Sequence, residues 1–194
     1  MKIGIISDTH GDRRAWREAL EGPFQGASYI LHAGDLLYHG PRNPMPEEYD
    51  PAGLADDMNA CPCPLLVARG NCDSEVDQLA LDWPIQAPYA LLALPVITIL
   101  VGHGHGLTEK AMVRLGSRYG AALFVCGHTH IPLIKQEDQV MLLNPGSAAL
   151  PKGTTGVPPR RTVAVIEDTR LVIVDLAEGQ VVARDALPWQ PGQP

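Results

Sequence analysis

The sequence predicts an α/β protein in which two packed sheets carry helices on their outer sides. Three observations lead there. Strand-like and helix-like runs alternate over the first two-thirds of the chain, and only strand-like runs follow residue 131. Five of the apolar runs also break directly into carboxylate, amide or imidazole side chains. A doubly wound single sheet would keep its helices to the end of the chain. At 194 residues, one domain is expected over 1–187, with 188–194 as a C-terminal tail.

In chain order, residues 2–7 give a buried strand and 12–22 a helix, with Asp12 as N-cap and Ala15, Trp16, Ala19 and Leu20 on its apolar face. Residues 28–33 give the second strand. Pro41, Pro44 and Pro46 exclude helix and central strand from 38–50, a long loop placed to shape a site. Asp50-Pro51 starts a helix to about residue 60 that turns Leu54, Ala55 and Met58 inward. Strands are expected over 65–69, 89–94 and 96–101. Thr108 then caps a helix with Ala111, Met112, Leu115 and Tyr119 on one face, and 122–126 is the next strand. Residues 131–135, 140–143, 162–166, 171–175 and 181–184 complete the strands, with 153–161 as a mobile loop.

Composition narrows the function classes. The net charge of -7 argues against a protein that coats nucleic acid, whose affinity would come from Lys and Arg on phosphates. No apolar run is long enough to span a membrane as a helix, and Met1-Lys2 leads straight into the first strand, so a cytoplasmic location is expected. The four cysteines lack framework spacing. Cys61-Pro62-Cys63 reads as a pair of free thiols, with a soft-metal site or a strained disulfide as the alternatives.

The chemistry lies at the strand ends: Asp8-x-His10, Gly34-Asp35, Gly70-Asn71-Cys72-Asp73, Gly102-His103-Gly104-His105 and Gly127-His128-Thr129-His130. Any one of these is ordinarily a cap or a turn. Five together are not, and residues beyond the carboxyl ends of such strands converge. Two carboxylates, an amide oxygen and several imidazoles exceed the needs of one zinc and suit two Mn²⁺, Fe or Zn²⁺ ions with a shared carboxylate. His32, inside a strand pattern, reads as a packed or hydrogen-bonded histidine.

Taken in order, these residues resemble the signature of the calcineurin-like metallophosphoesterase family over residues 8–130. Gly34-Asp35, the 36–46 loop with His39-Gly40-Pro41-Arg42-Asn43, residues 69–78 and Asn144-Pro145-Gly146-Ser147 are similar to the YfcE-type bacterial phosphodiesterases within it. The resemblance implies a four-layer α-β-β-α sandwich. It implies that Asp8, His10, Asp35 and His130 hold one ion, and Asp35, Asn71, His103 and His128 a second, with Asp35 bridging and Mn²⁺ ahead of Fe or Zn²⁺. Chemistry alone would accept His105 for His103.

The activity implied is hydrolysis of a small-molecule phosphodiester by a metal-bridging hydroxide. A phosphomonoesterase, or a protein-binding scaffold like one retromer subunit, is the alternative, and a homo-oligomer is compatible with the family. The catalytic candidates are Cys72, Asp73 and His105. Cys72 stands where much of the superfamily has histidine; beside two cations its thiol is expected to fall towards thiolate, a weak proton donor. Asp73 is expected to orient that segment and His105 to lie beside the site. His39, Arg42 and Arg69 are the candidate substrate contacts, with solvated loop charges as the alternative. The 144–147 turn is expected to close the pocket wall.

Overall fold

The computed structural model describes residues 1–187, so the expected tail at 188–194 lies outside the described residues. β1 (Lys2–Ile6) leads to α1 (Arg13–Glu21), where the Asp12 carboxylate accepts from Ala15 N. β2 (Tyr29–His32) runs into the proline-rich loop, and α2 (Pro51–Asn59) starts with Asp50 accepting from Gly53 N and proline at its first position. β3 (Leu65–Ala68), α3 (Glu75–Ala80) and β4 (Ile85–Gln86) follow. The second half comprises β5 (Ala90–Leu94), β6 (Ile97–Val101), α4 (Glu109–Arg118) and β7 (Leu123–Val125), then β8 (Leu133–Glu137) and β9 (Val140–Asn144). β10 (Thr162–Glu167), β11 (Arg170–Asp175) and β12 (Val181–Ala186) complete it.

The strands form two mixed sheets. One has seven strands in the order β12-β11-β10-β1-β2-β3-β4, the other five in the order β5-β6-β7-β9-β8. β1 is parallel to β2 on one side and antiparallel to β10 on the other, with Lys2 opposite Glu167. The buried faces of the sheets meet in one core that includes Ile5, Leu31, Ile99, Val125, Leu143 and Ile173. Trp16, Ala19, Leu54 and Met58 of α1 and α2 cover the other side of the seven-stranded sheet, against Ile30, Val67 and Val163. Met112 and Val113 of α4 do the same for the five-stranded sheet over Phe124 and Leu142. The result is the α-β-β-α layering that the sequence leads one to expect.

Four elements differ from expectation. α3 and β4 were not foreseen: α3 buries no residue and β4 has two residues, so neither carries a readable apolar period. β8 starts at Leu133 rather than at residue 131. α4 buries Met112 of the expected stripe and packs Leu115 partly against the core, but it also buries Val113 and Gly116 and leaves Tyr119 exposed. A Cβ on Gly116 would lie 2.8 Å from Val140 Cγ1, so the helix is rotated to bring its smallest residue against β9. The 153–161 segment is a loop closed by a bridge between Thr154 and Val157.

Candidate metal centre

The residues that follow β1, β2, β3, β6 and β7 meet at one edge of the two-sheet core. Asp8 N donates to Gly34 O and His10 N to Asp35 O, both at 3.0 Å, which ties the end of β1 to the end of β2. Asp8, His10, Asp35, His128 and His130 all have left-handed backbone, with φ between 47° and 67°. Among the described residues only two other non-glycine positions do so, Asp138 and Asp168. Such conformations persist only where the surroundings impose them, and they gather at functional sites. Glycines let the turns close up: a Cβ on Gly70 would collide with Asp35, and one on Gly127 with Ser7 and Asp8.

Each carboxylate has one oxygen tied to the protein and one turned inward. Asp8 Oδ2 accepts from Ser7 Oγ at 2.6 Å and His128 N at 3.1 Å, whereas Asp8 Oδ1 is buried with no hydrogen-bond partner. Asp35 Oδ1 accepts from Cys72 N at 2.8 Å, and Oδ2 faces His103 Nε2 at 3.3 Å and His10 Nε2 at 3.8 Å.

The imidazoles are arranged to match. His10 Nδ1 donates to Tyr38 O at 2.9 Å, His103 Nδ1 to Ala33 O at 2.8 Å, and His130 Nδ1 to Leu150 O. A carbonyl only accepts, so Nδ1 carries a proton in each ring, which leaves Nε2 as the atom that would turn a lone pair to a cation. His10 Nε2 and His130 Nε2 face each other at 3.2 Å, and His130 Nε2 lies 3.3 Å from the orphaned Asp8 Oδ1. Acceptors crowded in this way, around a buried oxygen without a donor, fit a bound cation.

Donor atoms of Asp8, His10 and His130 lie within 4.8 Å of one another, as do those of Asp8, Asp35 and His103, and of His10, Asp35 and Cys72. Asn71 Oδ1 is 3.1 Å from His103 Nε2. His128 is exposed at the edge, its ring 5.3 Å from that of His103.

The electrostatics follow from this packing. Burial alone would raise the Asp8 and Asp35 carboxyls, but the imidazoles beside them hold both below the ordinary range. Burial disfavours charge on His103, yet Asp35 and Asp8 outweigh it and lift its pKa to about 9, so without a cation Nε2 is protonated as well, and a bound ion would take that proton's place. Burial pushes His32 down to about 3; its Nε2 pairs with Thr9 Oγ1 and its Nδ1 accepts from Gly34 N, so it is a hydrogen-bonded core histidine. Burial, then Asp35, pushes the Cys72 thiol up to about 12. The protein groups alone therefore oppose the expected fall towards thiolate.

Asp73 accepts from Asp35 N at 2.9 Å, Leu36 N at 2.7 Å and Gly70 N at 2.6 Å, binding the turn after β3 to the turn after β2. The 144–147 turn lies beneath the site rather than in its wall. Asn144 Nδ2 donates to Gly127 O at 2.8 Å and Ser147 Oγ to Asp8 O at 2.8 Å.

Of the remaining sequence candidates, Arg42 lines the cavity over the centre, with Asp35, Cys72 and His128. His39 does not; its ring packs against Tyr38 and Tyr49, because the end of the 38–50 loop returns to the start of α1, where Tyr49 bridges Asp12 and Arg13 N donates to Glu48 O. Arg69 is also elsewhere, held by Asp73 O at 3.2 Å and Glu75 at 3.1 Å. His105 is exposed, its ring 5.5 Å from His103 and 6.1 Å from His128. Sequence reasoning missed Lys152 and Tyr38, which line the same cavity. Neither sits in a motif, and position at the start of the proline-rich loop was the only signal for Tyr38.

A family model described as the calcineurin-like phosphoesterase superfamily domain matches residues 1–169. Phosphodiesterase YfcE of Escherichia coli is 36% identical over 188 residues, covering 96% of this chain and 98% of its own. The solved structure of the E. coli phosphoesterase YfcE superposes with a TM-score of 0.81, covering 96% of this chain and 100% of that one at 32% identity. Vacuolar Protein Sorting 29 from Cryptosporidium parvum gives a TM-score of 0.64 over 95% of this chain and 97% of that one, at 16% identity, which is a likeness of fold.

Proposed function

The chain belongs to the calcineurin-like phosphoesterase superfamily, and from that footing we propose that it is a phosphodiesterase of small molecules that works with two divalent ions, Mn²⁺ first among them. The observation that carries the reading is the buried Asp8 Oδ1, without a hydrogen-bond partner and ringed by imidazoles that spend Nδ1 on backbone carbonyls and turn Nε2 towards it. Asp8, His10, Asp35 and His130 would hold one ion, and Asp35, Asn71, His103 and His128 the other. Two such ions supply a water acidic enough to ionise near neutral pH and a clamp on phosphate oxygens.

The chain's own residues do the rest. Carbonyls of Tyr38, Ala33 and Leu150 fix the tautomer and angle of three imidazoles. Asp73 keeps the Asp35 and Gly70 turns in register. Cys72, beside Asp35, stands where a proton donor would serve the leaving alcohol. A thiol is a poor donor, so diesters of acidic alcohols are the preferred substrates. All four cysteines are free thiols, in keeping with a reducing, cytoplasmic setting.

The test is hydrolysis of bis-p-nitrophenyl phosphate and p-nitrophenyl phosphate by metal-stripped protein, with Mn²⁺, Zn²⁺, Mg²⁺ or Fe²⁺ added back. Metal-dependent diester cleavage is expected. Asp35→Asn should lower it by more than about 100-fold, the most that a supporting residue accounts for. Preference for the monoester would change the class of the enzyme. No turnover by folded, metal-loaded protein would sink the enzyme reading in favour of a protein-binding scaffold.

A further inference from the structure

The cavity over the centre, about 560 Å³, holds two cationic side chains that simple diester cleavage does not require. Arg42 and Lys152 both line it, and among the described residues neither forms an ion pair. Several other cations of the chain are neutralised: Arg13 and Arg17 by Asp57, Arg14 by Glu47, and Lys135 by Glu109 and Glu137. The one acidic residue that lines the cavity is Asp35, and its oxygens are taken up by Cys72 N and the imidazoles.

Both cations sit on segments bonded to the centre itself. Lys152 N donates to His130 O at 3.1 Å, and Leu150, two residues earlier, accepts from His130 Nδ1. Arg42 belongs to the turn after Tyr38, whose carbonyl accepts from His10 Nδ1 at 2.9 Å. That turn is closed by Asn43 Nδ2 donating to His39 O at 2.8 Å. His10 and His130 are the pair whose Nε2 atoms face each other. The two cation-bearing segments are thus each fastened to one member of the same imidazole pair.

Charge counting then bears on the substrate. Two divalent ions against Asp8 and Asp35 leave about two positive charges, already enough for a diester, which carries one negative charge. Arg42 and Lys152 add two more, in a cavity whose walls also offer the Tyr38 ring and Pro41. We propose that the substrate is a phosphodiester with a second anionic group, phosphate or carboxylate, on one of its alcohol arms, seated at Arg42 and Lys152. The proposal rests on the phosphodiesterase reading and narrows it. Guanidinium suits such an anion through its fork, and ammonium as a compact charge.

The experiment uses Mn²⁺-loaded protein and p-nitrophenyl alkyl phosphates with arms of two to four carbons, each ending in methyl or in phosphate. Leaving group and scissile bond are the same throughout. At one or more arm lengths the phosphate-ended ester should be favoured in kcat/KM by about tenfold or more, the scale of a charge-assisted hydrogen bond. In the double variant Arg42→Gln, Lys152→Gln that ratio should fall to near one. A ratio near one in the unaltered protein at every length overturns the proposal. So does a ratio that survives in the double variant, including one that survives while both substrates slow equally, since the cations would then serve the scissile phosphate.

If neither ester is cleaved, the phosphodiesterase reading fails separately, and calorimetry decides this one. Alkane bisphosphates should bind about tenfold tighter than the matching alkyl phosphates, and only while both cations are present. Equal binding overturns it.

Discussion

At the scale of single residues, the centre is written in backbone as much as in side chains. Five of the seven candidate ligands occupy the left-handed region, where a Cβ is crowded by the neighbouring carbonyl. His128 tests this most simply, being exposed and linked to Asp8 through its backbone N–H. In metal-stripped protein, His128→Gly should be more stable than His128→Ala by about 1 kcal/mol, since only alanine keeps the crowded Cβ. Urea midpoints measure it, and equal midpoints would mean that the turn relaxes freely. The ligand types were legible in the sequence because glycine, carboxylate and imidazole recur at strand ends. Where the loop cations point was not. Arg69 turns to Glu75 and His39 to two tyrosines through contacts that no local pattern encodes, and Lys152 reaches the cavity only because its segment is bonded to His130.

At the scale of elements, α1 and α2 are joined by a charged clamp. Arg13 binds Asp57 through Nε at 2.7 Å and Nη2 at 3.0 Å, and Arg17 Nε joins at 2.7 Å. The Arg13 hydrogen bonds, more than its partial burial opposes, hold the Asp57 carboxyl down at about 2 against an ordinary 3.8. The unfolded chain therefore takes up that proton first as the pH falls. The clamp's contribution is complete above about pH 4 and lost as the pH drops through about 2. Asp57→Asn should lower the urea midpoint at pH 7 and reduce its decline between pH 4 and 2; parallel declines would show that the clamp contributes nothing.

Elements were legible where an apolar period met a cap, as in α1 and α2. They were lost where the apolar period was missing, as in α3, which Ser74 and Asp77 cap but which buries nothing, and β4, which is a two-residue ladder. The face of α4 was legible at Met112 and Leu115, but not at Gly116, whose close approach to Val140 no apolar period signals.

At the scale of the molecule, the seven-stranded sheet delivers Asp8, His10, Asp35 and Asn71, and the five-stranded sheet delivers His103, His128 and His130. A cation held by both sets ties one sheet to the other. Metal loading should therefore raise the temperature of the whole unfolding transition, with about 4 kcal/mol gained at a thousandfold excess over Kd. Calorimetry with and without chelator checks it, and Asp35→Asn should lose most of the gain; a chelator without effect on the unaltered protein would refute the coupling. The two-sheet layering was legible because strand runs without helices follow residue 131, but how those runs divide between sheets was not, since pairing between distant segments leaves no local trace.

That division sets a calendar for the growing chain. β1 lies between β2, made soon after it, and β10, which is made near the end and sets Glu167 opposite Lys2. Although made before β2 and β10, β1 is among the last of the described strands to be enclosed. Until Thr162–Glu167 arrives, one side of β1 is an open edge of unpaired N–H and C=O groups. Asp8 and His10, the earliest residues of the centre to be synthesised, thus wait on a sheet that only the much later β10 can finish.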